Sequence, residues 1–393
     1  MKTKLLILSL TTVLLPHTGC FAMTGQEIQN LINAATKAGS GEVIIPPGVH
    51  NIERGLLIKD GKNIRLTGAD AKTCVLKLPA LAFAQTARDT PAGSERIVIS
   101  RHQNLEPGMQ LWIEAAGEID SFTKKPKPYV LAFVKTLGKD FIELRQPLKF
   151  PVPGKALIRH ADAPNLIEIR GASEGVQIGK LTLDGGKAGD EPPVHGHAQL
   201  CGVFATGAYS YEKGPTGPKV KGVTVSHCII RNCHGRGVAF YSVDDSRIED
   251  CIITDTTDEA VDLDHFTTRT SVRRNRVARS GVGVELNDAA DCVVDANEFR
   301  DCGIGINLWR FCKQPGLNEG NRITGNVFTG MKGNGVQIGK DTARNTVTGN
   351  TITGSGRNGI SVGGAQQTIR DNRIEGSAKK DIAVTEAGAV LDH

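Results

Sequence analysis

Within eight residues the chain places Asp258, Glu259, Asp262, Asp264 and His265. Tyr241 precedes this stretch, with His234 and Arg236 just ahead of it, and Glu285, Trp309 and Arg310 follow. Clustered carboxylates can hold Ca²⁺, which takes six to eight oxygens in flexible geometry. Asp258, Asp264 and Glu285 are the candidate ligands for such an ion. Alternatively, mutual repulsion raises one pKa and leaves an acid and a base side by side. In that chemistry Asp262 or His265 is the candidate base, and Tyr241 or His234 the candidate proton donor. Arg236, Arg269 and Arg310 offer charge to an anionic ligand, and the Trp309 indole offers a flat face. A solvated acidic patch without chemistry is the alternative to all of these.

These side chains can meet only if the chain stacks them, and a repeat does so. The phrase Gly-apolar-x-apolar-x recurs at Gly237–Tyr241, Ala260–Asp264, Gly283–Asn287, Gly305–Trp309, Gly335–Gly339 and Gly359–Gly363. Steps between its first apolar residues are 23, 23, 22, 30 and 24. A second phrase keeps pace: Val225, Ile248, Val272, Val294, Ile323, Val347 and Ile369 each stand three residues before Cys228, Cys251, Asn275, Asn297, Asn326, Asn350 and Asn372. Period-two alternation rich in Val and Ile, broken by Gly and Asn, predicts short strands. One copy cannot bury an apolar face alone, so the copies stack and share a core. The five asparagines then form a ladder at about 4.8 Å spacing, in turns whose left-handed backbone Asn tolerates. The x positions form two outward columns. One runs Phe204, Ala239, Asp262, Glu285, Asn307, Gln337, Ser361; the other runs Thr206, Tyr241, Asp264, Asn287, Trp309, Gly339, Gly363.

With these phrases, Gly41-Glu42-Val43-Ile44-Ile45-Pro46-Pro47-Gly48 and Leu181-Thr182-Leu183-Asp184-Gly185, the chain resembles the pectate-lyase-like superfamily over residues 23–80 and 160–393. The resemblance implies an all-β fold, a right-handed parallel β-helix. It also implies a polysaccharide partner, here an acidic, uronate-containing one, and β-elimination or C5 epimerisation as the reaction. Hydrolysis by paired carboxylates and non-catalytic carbohydrate binding remain as alternatives, since this fold hosts all three. Asp258-Glu259-Ala260-Val261 resembles a polygalacturonase element, but Gly281-Val282-Gly283 has Val where that family carries His. That departure weighs against ordinary polygalacturonase chemistry.

The remaining expectations concern organisation. Residues 1–22 have the form of a secretory leader, with Lys2 and Lys4 before an apolar run and cleavage after Ala22. Lipoprotein anchoring at Cys20 is the alternative, and either way the protein is secreted or periplasmic. No second apolar run predicts a transmembrane segment. The formal net charge of +5 falls by two, to +3, when Lys2 and Lys4 leave. That is too little to argue for nucleic acid and is compatible with an anionic partner. Thr24-Gly25-Gln26-Glu27 is a capping-box sequence opening a helix, and residues 23–80 form this cap and the first coils. Residues 81–160 lose the rhythm and predict an inserted β subdomain, with the repeats filling 161–393. His195 and His197 lie on a loop with no third ligand in view. Oligomeric state is not legible.

Overall fold

A computed structural model describes residues 22–187 and 199–385. The expected leader (but for Ala22), His195, His197 and the chain end at Leu391–His393 lie outside the described residues. Two compact units are present, a solenoid and a small barrel formed by residues 79–164.

The solenoid is a right-handed parallel β-helix of three ten-stranded sheets. Successive coils pair in register, as in Val238↔Val261, Val261↔Val284, Val284↔Ile306, Ile306↔Val336 and Val336↔Ile360. The alternate apolar residues fill one continuous core in which Val261, Val284 and Ile306 are fully buried. The glycine that opens every phrase but the one at Ala260 has a steric cause. A Cβ on Gly283 would lie 2.4 Å from the Gly305 carbonyl oxygen and 2.5 Å from the Phe299 ring. Phe299 in turn stacks on Phe328 at 4.9 Å between centroids, so the strand must pass close to a filled core.

The asparagine ladder forms along one corner. Each amide Nδ2 donates to the next Oδ1: Asn275 to Asn297 (3.0 Å), Asn297 to Asn326 (2.9 Å), Asn326 to Asn350 (3.0 Å) and Asn350 to Asn372 (2.9 Å). The conformational reason expected for asparagine is corrected, however. Left-handed backbone falls on the residue before each rung: Asp250, Arg274, Ala296, Gly325, Gly349 and Asp371. Asparagine is there for its side chain. Asn297 accepts from the Asn275 backbone N–H and donates to the Val272 carbonyl, so no buried polar group is stranded. A second, shorter ladder joins Asn321 to Asn345 at 3.0 Å and the Asn345 backbone to Gln367 at 2.9 Å. The described cysteines are all free and buried.

The helix Gly25–Ala38 opens with the capping box in place and ends at Gly39 in left-handed conformation. Ile28 and Ile32 enter the solenoid core. The Gln29 amide bonds both backbone groups of Leu57, each at 2.8 Å, and so satisfies the end strand of a sheet that would otherwise lie open.

The barrel closes from six antiparallel strands in the order Phe141–Leu144, Arg96–Gln103, Phe83–Thr86, Leu157–His160, Gln110–Glu114, Tyr129–Leu137. Ile97, Leu111, Ile113, Val134, Ile142 and Ile158 fill it.

Candidate functional site

In the sheet that carries the Gly-apolar-x-apolar-x strands, the first column stands in the expected register: Phe204↔Ala239, Ala239↔Asp262, Asp262↔Glu285, Glu285↔Asn307, Asn307↔Gln337 and Gln337↔Ser361. Thr206↔Tyr241↔Asp264 and Asn287↔Trp309 set the second. Their exposure differs from expectation. These columns were to face solvent, yet Asp262 is 1% and Tyr241 5% exposed, and Asp264 and Glu285 are also buried. Two excursions cover them. The hairpin Tyr209–Ser210/Gly214–Pro215 brings Tyr209 within 5.2 Å and Tyr211 within 4.9 Å of the His265 ring. The long insertion after Trp309 brings Phe311 within 6.0 Å, and Gln314 ties it to the Tyr211 carbonyl at 2.8 Å.

Beneath this cover lie three linked groups. Arg236, on the turn before its strand, sets Nε at 2.7 Å from both Glu259 and Asp262, with Asp258 at 3.6 Å from its Nη2. The Tyr241 hydroxyl donates to Asp262 Oδ2 at 3.0 Å. His265, at φ 33° just past the strand, sets Nδ1 at 2.9 Å from Asp264 and 3.2 Å from Asp288. Glu285 accepts from Asn307 at 2.9 Å and from the Trp309 indole at 2.7 Å.

Burial in this setting moves proton affinities. It raises the Glu259 and Asp262 carboxyls well above the usual carboxylate range, although Arg236 pulls the other way. Glu285 is raised for the same reason against its two hydrogen bonds. Burial, then Asp262, raises the Tyr241 phenol. For His265 burial opposes the charge, but the Asp264 bond and field outweigh it and push the imidazole up to about 12. The Asp264 and Asp288 carboxyls thus favour the imidazolium form of His265.

Two sequence candidates, Arg269 and Arg310, are engaged elsewhere. Arg269 is held by Asp245 at 2.7 Å and Asp244 at 3.3 Å. Arg310 folds onto the carbonyls of Cys312, Lys313 and Gln314 within its own loop. His234 is buried two residues ahead of Arg236. Trp309 is 37% exposed and keeps an open face. Asp258, Asp264 and Glu285 do not fit Ca²⁺. Their oxygens are turned onto Arg236, His265 and the Asn307–Trp309 pair, which supply the positive and donor groups an ion would supply. Sequence reasoning missed Asp288, which also accepts the backbone N–H groups of Phe311 (2.8 Å) and Cys312 (3.0 Å) and so anchors the insertion. It missed Tyr209 and Tyr211 as well. The step of 35 residues between Val203 and Val238 was the signal for their hairpin.

Residues 202–317 and 316–391 match the family model described as a right handed beta helix region. No curated protein matches the chain by sequence. Among solved structures, the chain is similar to the Azotobacter vinelandii mannuronan C-5 epimerase AlgE6 A-module, at 14% identity and TM-score 0.53, over 94% of this chain and 93% of that one. It is similar to a mannuronic acid specific polysaccharide family 6 lyase from human gut microbiota, at 11% identity and TM-score 0.51, over 93% and 66%. An N-terminal fragment of bacteriophage Phi29 gene product 12 aligns at 11% identity and TM-score 0.54, over 94% and 66%. At these identities the likeness is one of fold.

Proposed function

We propose that this chain, a right-handed parallel β-helix protein of the pectate-lyase-like superfamily, is an enzyme acting outside the cytoplasm on an acidic polysaccharide, by β-elimination or C5 epimerisation of a uronate. The observation that carries this reading is the Tyr241–Asp262–Arg236 chain beside His265, whose cation Asp264 and Asp288 favour. A uronate carboxylate paired with His265 loses charge, and its C5–H becomes more acidic. The Tyr241 hydroxyl points its proton at Asp262, which leaves its oxygen as the proton acceptor of the pair. As the C5–H bond breaks, Tyr241 takes that proton and passes its own to Asp262, which burial makes a better acceptor than an ordinary carboxylate. Arg236 balances the charge. Expulsion of the C4 oxygen, which leaves with the proton, forms the C4–C5 double bond. Delivery of a proton from water to the opposite face of C5, with the abstracted proton released to solvent, instead gives the epimer. Trp309 offers a stacking face for a neighbouring ring. The names of the epimerase and lyase neighbours support the substrate class by analogy of fold. The leader-like form of residues 1–22 supports a place outside the cytoplasm; among the described residues no helix is long and apolar enough to cross a membrane.

Hydrolysis is the second reading, because burial raises Glu259, Asp262 and Glu285 together, as a carboxylic general acid requires. The deciding experiment incubates the protein with pectate, alginate and chondroitin, with Ca²⁺ and with chelator. Rising ultraviolet absorbance reports an unsaturated uronide, and NMR in D₂O reports exchange at C5. One of the two should appear in the parent and fall at least about a hundredfold in Tyr241→Phe. New reducing ends without either signal would replace elimination by hydrolysis. Silence in all three assays would leave a binder.

A further inference from the structure

The barrel has a surface that its own fold does not explain. Its longest strand, Tyr129–Leu137, turns Val130 and Val134 into the core. The opposite face of such a strand is ordinarily polar. Here it carries Tyr129, Leu131 and Phe133, with Leu131 50% and Phe133 42% exposed. These three line a groove of about 280 Å³ together with Phe150, Lys127, Lys149 and one acid, Glu118. Arginines back the aromatic rings of this unit. Arg145 lies 6.0 Å from the Phe133 centroid, and Arg159 lies 4.8 Å over Trp112, which itself stacks on Tyr129 at 5.6 Å. The barrel is closed, so the strand has no free edge to pair with another chain.

Charge identifies the occupant. Residues 79–164 hold twelve Lys and Arg against nine Asp and Glu, a net of +3. The remainder after residue 22 is balanced, 33 against 33. All the net positive charge of that chain therefore sits in the unit that also exposes flat apolar faces. We infer that the groove along Tyr129–Phe133 is a second carbohydrate site, which holds a stretch of acidic polysaccharide without acting on it. Tyr129 and Phe133 stand four residues apart, about 13 Å along the strand, so their rings meet different sugars of one chain. Lys127 supplies counter-charge at the groove wall, and so does Lys149, which also stands 3.7 Å from Glu118 in an exposed pair. The substrate class rests on the reading proposed above; the site itself does not.

The test uses the full-length protein carrying Tyr241→Phe, so that polymer is not consumed. Its affinity for pectate and alginate is compared by gel mobility with that of the same protein carrying Phe133→Ala, or Lys127→Ala with Lys149→Ala. A neutral glucan serves as control. The expected result is a loss of about tenfold or more for the acidic polymers in both barrel variants, and a weaker salt dependence in the lysine pair. In the Tyr241 background restored to wild type, the barrel variants should turn over a short oligouronide at the parental rate. The lysine pair lies outside the core, so it guards against a Phe133 variant that merely misfolds. Unchanged affinity in the lysine pair would overturn the inference, as would equal loss on the neutral glucan. A dimer seen by sedentation that both variants abolish would also overturn it, by assigning the face to a second copy. Turnover that appears on no polymer, with barrel-dependent binding intact, would remove the enzyme reading and leave this one standing.

Discussion

Two stacks of side chains run along the same solenoid, and they obey opposite rules. In the asparagine corner every rung is the same residue, and each amide satisfies its neighbour. In the site column the rungs are Ala239, Asp262, Glu285, Asn307 and Gln337, and no rung repeats its neighbour. Identical rungs spread one hydrogen-bond pattern over several coils and make a structural element. Unlike rungs, with those of the neighbouring column, bring three acids, a phenol and an indole to one place, and their charge is met from outside the stacks by Arg236 and His265. The exposed turns show the same contrast. Asp245 and Asp250 are lowered by their bonds to Arg269 and Arg274, whereas burial raises Asp262 and Glu259. Like spacing therefore yields either a scaffold or a site, according to whether the stack satisfies itself.

If the site column depends on groups outside it, removing the outside cation should cost most. Arg236→Met leaves Glu259 and Asp262 buried without their partner, and the expected loss is about 3–5 kcal/mol in urea unfolding. A loss below about 1 kcal/mol would mean that the acids are held neutral without the arginine. Next comes the self-satisfied stack. Asn326→Ala strands one amide N–H and the backbone N–H of Asn297 and the Val294 carbonyl, and should cost at least the about 1–3 kcal/mol of a buried unsatisfied group. Asn372→Ala, at the half-buried end, should cost less because water replaces it. Equal losses at both positions would break the picture of a ladder anchored in its middle.

Much of this was legible in the sequence because a solenoid converts spacing into position. The register of both columns and the four amide bonds of the ladder follow from steps of 22 to 24 residues, with the longer steps of 29, 30 and 35 read as insertions between coils. The second ladder was equally available. Asn321, Asn345 and Gln367 each stand two residues before Ile323, Val347 and Ile369, a spacing as regular as the one that gave the first. Burial of the site was not available. It comes from the hairpin at Tyr209 and the insertion after Trp309, whose paths no repeat fixes. The same holds for Arg269 and Arg310. Their residue type suits an anionic ligand, but Asp245 and three loop carbonyls already hold them. Position along a strand is periodic, while what a loop lays over it is not.

The two classes of carboxylate should also answer pH in opposite directions. Glu259 has a folded pKa above its usual 4.5, so its contribution is present below 4.5 and is lost as pH rises through the raised value. Glu259→Gln keeps an oxygen for Arg236 but removes that slope. Unfolding free energies at pH 4 to 8 should therefore decline less in the variant than in the parent. Parallel profiles would mean that Arg236 keeps Glu259 ionised throughout.

Asp245 gives the reverse sign and the smallest effect. Its folded pKa is lowered from 3.8 by the Arg269 bond, so its contribution is present above 3.8 and is lost as pH falls through the lowered value. The pair is exposed and screened, with side chains 52% and 54% accessible, and should add no more than about 1 kcal/mol. Asp245→Asn should thus trail the parent slightly at neutral pH and meet it in acid, with the gap shrinking in high salt. Turnover should be unchanged, because Arg269 is bound at the turn and not to substrate. If the variant instead altered KM for an acidic polymer, Arg269 would belong to the site after all, and the division between scaffold rungs and site rungs would have to be redrawn one coil wider.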